Sequence, residues 1–232
     1  MSNDDSPAGK YASLRQSMPQ LFDNPPGDVI RVITDSDEIE AFERAERASL
    51  AQYAKPLAWA EVGVVYEDAY IRVVRDAVAF PDGKKGSYIR VVPGRQNFPG
   101  ASVLPLEDDR IVLLRHFRHA TRRWHLEIPR GFANAGEAAE DTAKREVYEE
   151  IGARVQSLTP LGGIHTNTGL LSEYVPLFAA RIDGIGQAQT SEGIANATAF
   201  TADEIDELLR SNEITDAFTI CAITKARIRG VI

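Results

Sequence analysis

The sequence predicts an α+β fold, and three observations carry that expectation. Strand-like and helix-like stretches follow one another in mixed order along 232 residues, with no internal repeat. Two runs rich in β-branched and aromatic residues, AYIRVVRDAVAF at 69–80 and SYIRVV at 87–92, flank the turn-forming PDGKKG and read as a hairpin, the basis of a small antiparallel N-terminal sheet. One segment, Glu137 to Ile151, is rich in Ala, Glu and Lys, and Gly152 stands where a left-handed helix cap belongs.

Taken in order, residues 1–30 mix Ser, Asn, Pro and Gly with few apolar residues and are expected to form a flexible or loosely docked arm. Asp35 and Glu38 offer a capping box for a short helix from Ser36 to about Tyr53, in which Ile39, Phe42 and Ala45 recur at helical spacing. VGVVY at 62–66 is a strand, followed by the hairpin. ASVLPLEDDRIVLLRHFRHA, 101–120, gives a strand, an EDD turn and a long strand, and WHLEIPRGF leads into the acidic helix. LTPLGGIH and SEYVPLFAARI read as strands on either side of TNTGLLSE, and ATAF at 197–200 as the last strand. Two helices follow: Ala202–Arg210, and Ile214–Arg229 with Ile214, Phe218, Cys221, Ala222 and Ile228 on one side.

Composition narrows the function. A hydrophobic share of 44% supports a packed core, and the length suits one catalytic domain with an N-terminal extension. A net charge of −8 argues against broad nucleic-acid binding, yet allows a phosphate ester bridged by a cation. No run approaches the roughly 18 apolar residues of a membrane span and no signal peptide is visible, so a cytoplasmic protein is expected. The single Cys221 excludes an intrachain disulfide and a cysteine-based zinc site. His116, His119, His125 and His165 show no metal-ligand spacing and read as surface or packing residues.

The chemistry gathers on the acidic helix. Glu146, Glu149 and Glu150 stand at i, i+3 and i+4 and share one face, whereas Ala139, Ala143 and Val147 mark an apolar stripe. Like charges so placed repel by roughly 0.2–0.5 kcal/mol per pair. Arg145 and Lys144 are neighbours able to offset this, a solvated acidic face is the bland alternative, and a hard divalent cation fits carboxylate oxygens best.

Gly131, Glu137, Arg145, Glu146, Val147, Glu149, Glu150, Gly152 and Ala153 match the Nudix box, with five residues between Gly131 and Glu137 and seven between Glu137 and Arg145. The sequence thus resembles the Nudix hydrolases, which cleave a nucleoside diphosphate linked to another moiety with Mg²⁺ or Mn²⁺. The resemblance implies an α/β/α sandwich over 97–232, preceded by an arm and short helix (1–58) and a dimer-forming sheet (59–96). It also implies that Glu146, Glu149 and Glu150 hold metal together with the backbone carbonyl of Arg130, that Arg145 orients a glutamate, and that Glu137 supports from behind.

The flanks are similar to the ADP-ribose pyrophosphatase branch. Arg115 to Arg118, Trp124, Glu127, Pro129 and Gly131 look like its strand and entry loop, with His116 in place of the usual Gln and Arg130 in place of a small residue. Asn167, Thr168, Gly169 and Glu173 resemble its Pro-Gly loop and following glutamate, with Thr168 replacing the proline. The branch implies ADP-ribose cleaved to AMP and ribose 5-phosphate by a homodimer, with Tyr70 and Tyr88 stacking on adenine or simply packing across strands. Arg118 grips phosphate or pairs with Glu127, and Glu127 is itself a candidate substrate contact. Glu192, the acidic residue of GQAQTSEGIAN, is the expected general base, against a solvated loop glutamate. Two rivals stand beside this: another nucleoside diphosphate sugar or dinucleotide as substrate, and a non-catalytic ADP-ribose-sensing module, against which the intact glutamates argue.

Overall fold

A computed structural model describes residues 4–94, 98–187 and 193–232, in two compact units: Met1–Asn97 with Asn167–Ser172, and Phe98–Thr166 with Glu173–Ile232.

The first unit is built on β3 (Ile71–Ala79), which pairs along its length with β4 (Lys85–Pro93). Its other edge is shared by β1 (Arg31–Val32) and β2 (Gly63–Glu67), so the expected hairpin belongs to a four-stranded antiparallel sheet. The arm is corrected. Residues Pro7–Ser17 form helix α1, capped by the Ser6 side chain with proline at its first position. It is docked because Tyr11 and Leu14 are buried with Phe22 in the same core as Val64, Val74 and Val92. The Tyr11 hydroxyl donates to Asp76 Oδ1 at 2.5 Å, and Arg90 reaches the same carboxylate at 2.7 and 3.1 Å. Sparse apolar spacing hid this: few residues dock the helix, but they are large. Helix α2 (Ser36–Gln52) starts where expected, with Asp35 accepting from the Glu38 amide at 3.0 Å.

Residues 167–172 complete this unit by lying along β4. The Val91 amide donates to the Leu170 carbonyl at 2.8 Å, the Ser172 amide to the Val91 carbonyl at 3.2 Å, and the Tyr88 hydroxyl to the Gly169 carbonyl at 2.9 Å.

The second unit holds a seven-stranded mixed sheet of β5 (Phe98–Glu107), β6 (Arg110–Arg118), β7 (Arg123–Glu127), β8 (Arg130–Ala133), β9 (Val155–Ile164), β10 (Val175–Ile182) and β11 (Ile194–Phe200). Among the described residues β5 and β6 pair with each other only near their turn, at Leu106↔Ile111 and Glu107↔Arg110. Farther on, β7 pairs with β6 and β8 with β5, and Ile128 and Pro129 join these two short strands. Parallel pairing of β10 with β5 makes the sheet mixed.

Period-two alternation buries both faces. Leu104, Leu106, Leu113, Leu177 and Ala179 pack with α4 (Ala202–Arg210) and α5 (Ala217–Ile228) on one side. Val103, Val112, Leu114, Phe178 and Ala180 pack on the other against Ala143, Val147 and Ile151 of α3 (Ala139–Ile151). This is the helix, sheet, helix sandwich. The last helix differs from expectation: it begins at Ala217, capped by Asp216, and its inner face is Thr219, Ala222, Ile223 and Ala226. Ile228, assigned to that face from sequence, is 81% exposed because it ends the helix beyond the sheet-facing turns.

Candidate active site on the acidic helix

The acidic helix begins at Ala139 and ends at Gly152, whose φ of 67° is the left-handed cap that its sequence position predicts. Glu137 lies just before the helix. Its Oε2 accepts from the Asn134 amide at 2.8 Å and from the Thr142 hydroxyl at 3.1 Å, fastening the loop to the first turn.

Arg145 organises the carboxylates. Its Nε and Nη2 donate to Glu137 at 3.0 and 3.1 Å, and Nη1 donates to both Glu146 and Glu149 at 2.7 Å. Nη2 also reaches the Phe132 carbonyl at 2.8 Å. The hydrogen bonds from Arg145, then that from the Asn134 amide, hold the Glu137 carboxyl down from an ordinary 4.5 to about 2. Lys144 pairs with Asp141 instead.

Behind this row lies β8. The Arg130 amide donates to Glu150 Oε2 at 3.1 Å, so a backbone group of the entry strand meets the last glutamate. At Gly131 any Cβ would stand 2.0 Å from Glu146 Oε1, which explains glycine there. Glu146 and Glu150 are 6% and 2% exposed.

Among the described residues no three acidic, histidine or cysteine side chains converge at ligand spacing, and Arg145 is bonded to both Glu146 and Glu149. The donor set nevertheless suits a divalent cation. It consists of hard carboxylate oxygens on one helical edge, beside a glycine whose missing Cβ leaves Glu146 against the backbone.

Glu127 was expected to contact substrate. It is 1% exposed, and its carboxylate faces side chains of the chain itself: Oε1 stands 2.9 Å from His116 Nδ1 and 2.6 Å from Arg118 Nη2 at angles short of hydrogen bonds, while Oε2 accepts from Arg130 Nη2 at 3.4 Å. Burial pushes this carboxyl up, but the His116 contact and the Arg118 and Arg130 charges outweigh it, and the net shift is downward. The pairing of Arg118 with Glu127, one of its two sequence readings, is present, and Arg118 keeps 28% of its side chain exposed.

Tyr70 and Tyr88 are not cross-strand neighbours. Tyr88 pairs with Asp76, six residues beyond Tyr70, whose carbonyl accepts from the Gly94 amide. That separation is about 20 Å at ~3.3 Å per residue, too far for both rings of one chain to clasp one base. Glu192 falls outside the described residues. Thr142, Asp216 and Thr219 were not singled out from sequence, and Phe218 was placed only on the apolar face of the last helix; the Asp-x-x-Thr spacing of 216–219 is the cap signature that marks two of them.

A NUDIX domain model matches residues 96–219. ADP-ribose pyrophosphatase of Bacillus subtilis is 29% identical over 164 residues, covering 68% of this chain and 86% of that protein. GDP-mannose pyrophosphatase of Cronobacter sakazakii is 28% identical over 161 residues, covering 65% and 83%. A solved structure described as an ADP compounds hydrolase superposes with a TM-score of 0.64 at 20% identity, over 74% of this chain and 93% of that one, a likeness of fold. The chain belongs to the Nudix family, and with it to the hydrolases of pyrophosphate bonds. Within that family its sequence is similar to ADP-ribose pyrophosphatases.

Proposed function

We propose that this Nudix hydrolase cleaves the diphosphate of a nucleoside diphosphate sugar, with ADP-ribose as its preferred substrate and AMP and ribose 5-phosphate as products. The observation that carries the reading is the row of Glu146, Glu149 and Glu150 on α3 set against the Arg130–Gly131 backbone of β8. The similarity to ADP-ribose pyrophosphatases over 68% of the chain supports the choice of sugar.

Glu146, Glu149 and Glu150, with the Arg130 carbonyl, would hold Mg²⁺ or Mn²⁺. An ion bound there would supply charge against the diphosphate oxygens and a more acidic water. Arg145 keeps Glu146 and Glu149 aligned on the helix edge, and Glu137 fixes Arg145 in turn. The exposed part of Arg118 contacts a substrate phosphate while Glu127, paired with it, sets its direction. Water adds to phosphorus, the bond to the bridging oxygen breaks, and the Glu192 carboxylate takes the proton. Replacing Glu192 with Gln is expected to lower kcat by about 100-fold or more; wild-type turnover would remove it from the mechanism. Tyr70, 65% exposed, and Tyr88 are the proposed stacking partners for the base, one contributed by each subunit because the two of one chain stand too far apart. A homodimer through the N-terminal strands completes the reading, and a monomer in sedimentation would sink that part.

A second reading, another nucleotide sugar, is favoured by the similarity to GDP-mannose pyrophosphatase over 65% of the chain. The test is a panel of ADP-ribose, other nucleoside diphosphate sugars and dinucleotides, compared by kcat/KM with Mg²⁺ present. Highest kcat/KM on ADP-ribose supports the proposal. Preference for another sugar transfers it to that sugar, and binding of ADP-ribose without turnover of any compound would make the protein a sensor.

A further inference from the structure

Arg130 has its guanidinium held from three sides. Nη1 donates to Asp216 Oδ1 at 2.7 Å, Nη2 donates to Glu127 Oε2 at 3.4 Å, and the group lies 4.4 Å from the Phe218 ring centroid. Asp216 is itself fixed as the cap of α5. Its Oδ2 accepts from the Thr219 amide at 2.9 Å and from the Thr219 hydroxyl at 2.7 Å. That hydroxyl, fully buried, accepts in turn from the Ile128 amide at 3.0 Å. The first turn of α5 therefore grips both sides of Pro129: Ile128 through Thr219, and Arg130 through Asp216.

The gripped backbone is the one the acidic helix touches. The Arg130 amide donates to Glu150, and Gly131 lies so close to the Glu146 carboxylate that a Cβ there would displace it. A shift of a few tenths of an ångström here alters both contacts. Partners behind a ligating group commonly change metal affinity or activity by about 10- to 100-fold when removed.

We infer that Asp216 and the Arg130 side chain form a positioning clamp, which holds the Arg130–Gly131 backbone against α3 and so sets Glu150 and Glu146 for cation binding. This rests on the proposal that the α3 glutamates hold a divalent cation. The guanidinium serves the protein, not the substrate: both of its terminal nitrogens are engaged by carboxylates and its face by Phe218.

The test separates clamp from cap. Serine at 216 keeps a side-chain oxygen for the α5 amides but is too short to reach Arg130. Mn²⁺ binding is read by electron paramagnetic resonance on wild type, Asp216→Ser, Arg130→Ala and the double variant, with thermal unfolding of the metal-free proteins alongside. Asp216→Ser and Arg130→Ala are each expected to weaken Mn²⁺ binding about ten-fold, with the double variant no weaker than either, because both remove one device. Where turnover is measured, kcat falls at fixed subsaturating Mn²⁺ while KM for the nucleotide holds, and Arg130→Lys restores part of the loss. Unchanged Mn²⁺ affinity in Asp216→Ser overturns the clamp, as does a raised nucleotide KM in Arg130→Ala with Mn²⁺ affinity intact. The Mn²⁺ readout needs no substrate, so a failure of the ADP-ribose assignment leaves it standing; wild-type protein that binds no Mn²⁺ overturns clamp and metal site together.

Discussion

Arg145 supplies the positive charge that three glutamates on one helical edge require, and it does so while fastened to Glu137 by two nitrogens. Because the folded pKa of Glu137 lies below its ordinary value, this contact contributes stability that is fully present above pH 4.5 and is lost as pH falls toward 2. Arg145→Gln should therefore raise the Glu137 pKa toward 4.5, read by carbon-detected NMR titration of its carboxyl; a value still near 2 would assign the depression to the Asn134 amide and Thr142 instead. These glutamates stand out because they lie within one short stretch that matches the Nudix box, whereas their spacing alone leaves a solvated acidic face open. Asp216 does not stand out, since its partner Arg130 stands 86 residues away and no periodicity joins them. Glu127 is ambiguous from sequence for a related reason. A carboxylate on a strand reads alike whether it faces substrate or, as here, two arginines and a histidine.

Helices were easier to read than the short strands at the site. Composition and the glycine cap mark α3 to within two residues at its start, and the apolar run after the EDD turn marks β6, but β7 and β8 have five and four residues with Pro129 between them. Their strand state comes from partners that the local sequence does not contain, the diverging ends of β6 and β5. The same fork carries a prediction. Gly131→Ala would place a methyl group 2.0 Å from Glu146 Oε1, and it is expected to weaken divalent-cation binding sharply in calorimetric titration. Gly152→Ala acts at the other end of α3, where a φ of 67° and a Cβ contact of 2.7 Å with the Gln187 amide make alanine strained. A loss of about 1–2 kcal/mol in denaturant unfolding is expected there. Cation binding unchanged in the first variant, or stability unchanged in the second, would contradict these geometries.

Across the whole molecule the mixed order of elements announced a sandwich, and both buried faces of the second unit follow from period-two alternation in β5, β6 and β10. The first unit departed from its reading because α1 docks through few residues: the Tyr11–Asp76–Arg90 group and the Phe22 ring, which stands 5.2 Å from Tyr11 and 5.0 Å from Arg90. Tyr11→Phe removes one donor from a buried carboxylate, and a loss of about 1–3 kcal/mol is expected in chemical unfolding followed at the first unit; an unchanged midpoint would mean that α1 contributes packing alone. No helix among the described residues is long and apolar enough to cross a membrane. The central claim joins the acidic helix to pyrophosphate cleavage, and it is tested most directly by following AMP released from ADP-ribose as Mg²⁺ is titrated into wild type and Glu150→Gln. AMP release is expected to rise with Mg²⁺ in wild type and to be lower by about 100-fold or more in the variant at every concentration. Equal release by both proteins, or release indifferent to Mg²⁺, would contradict it.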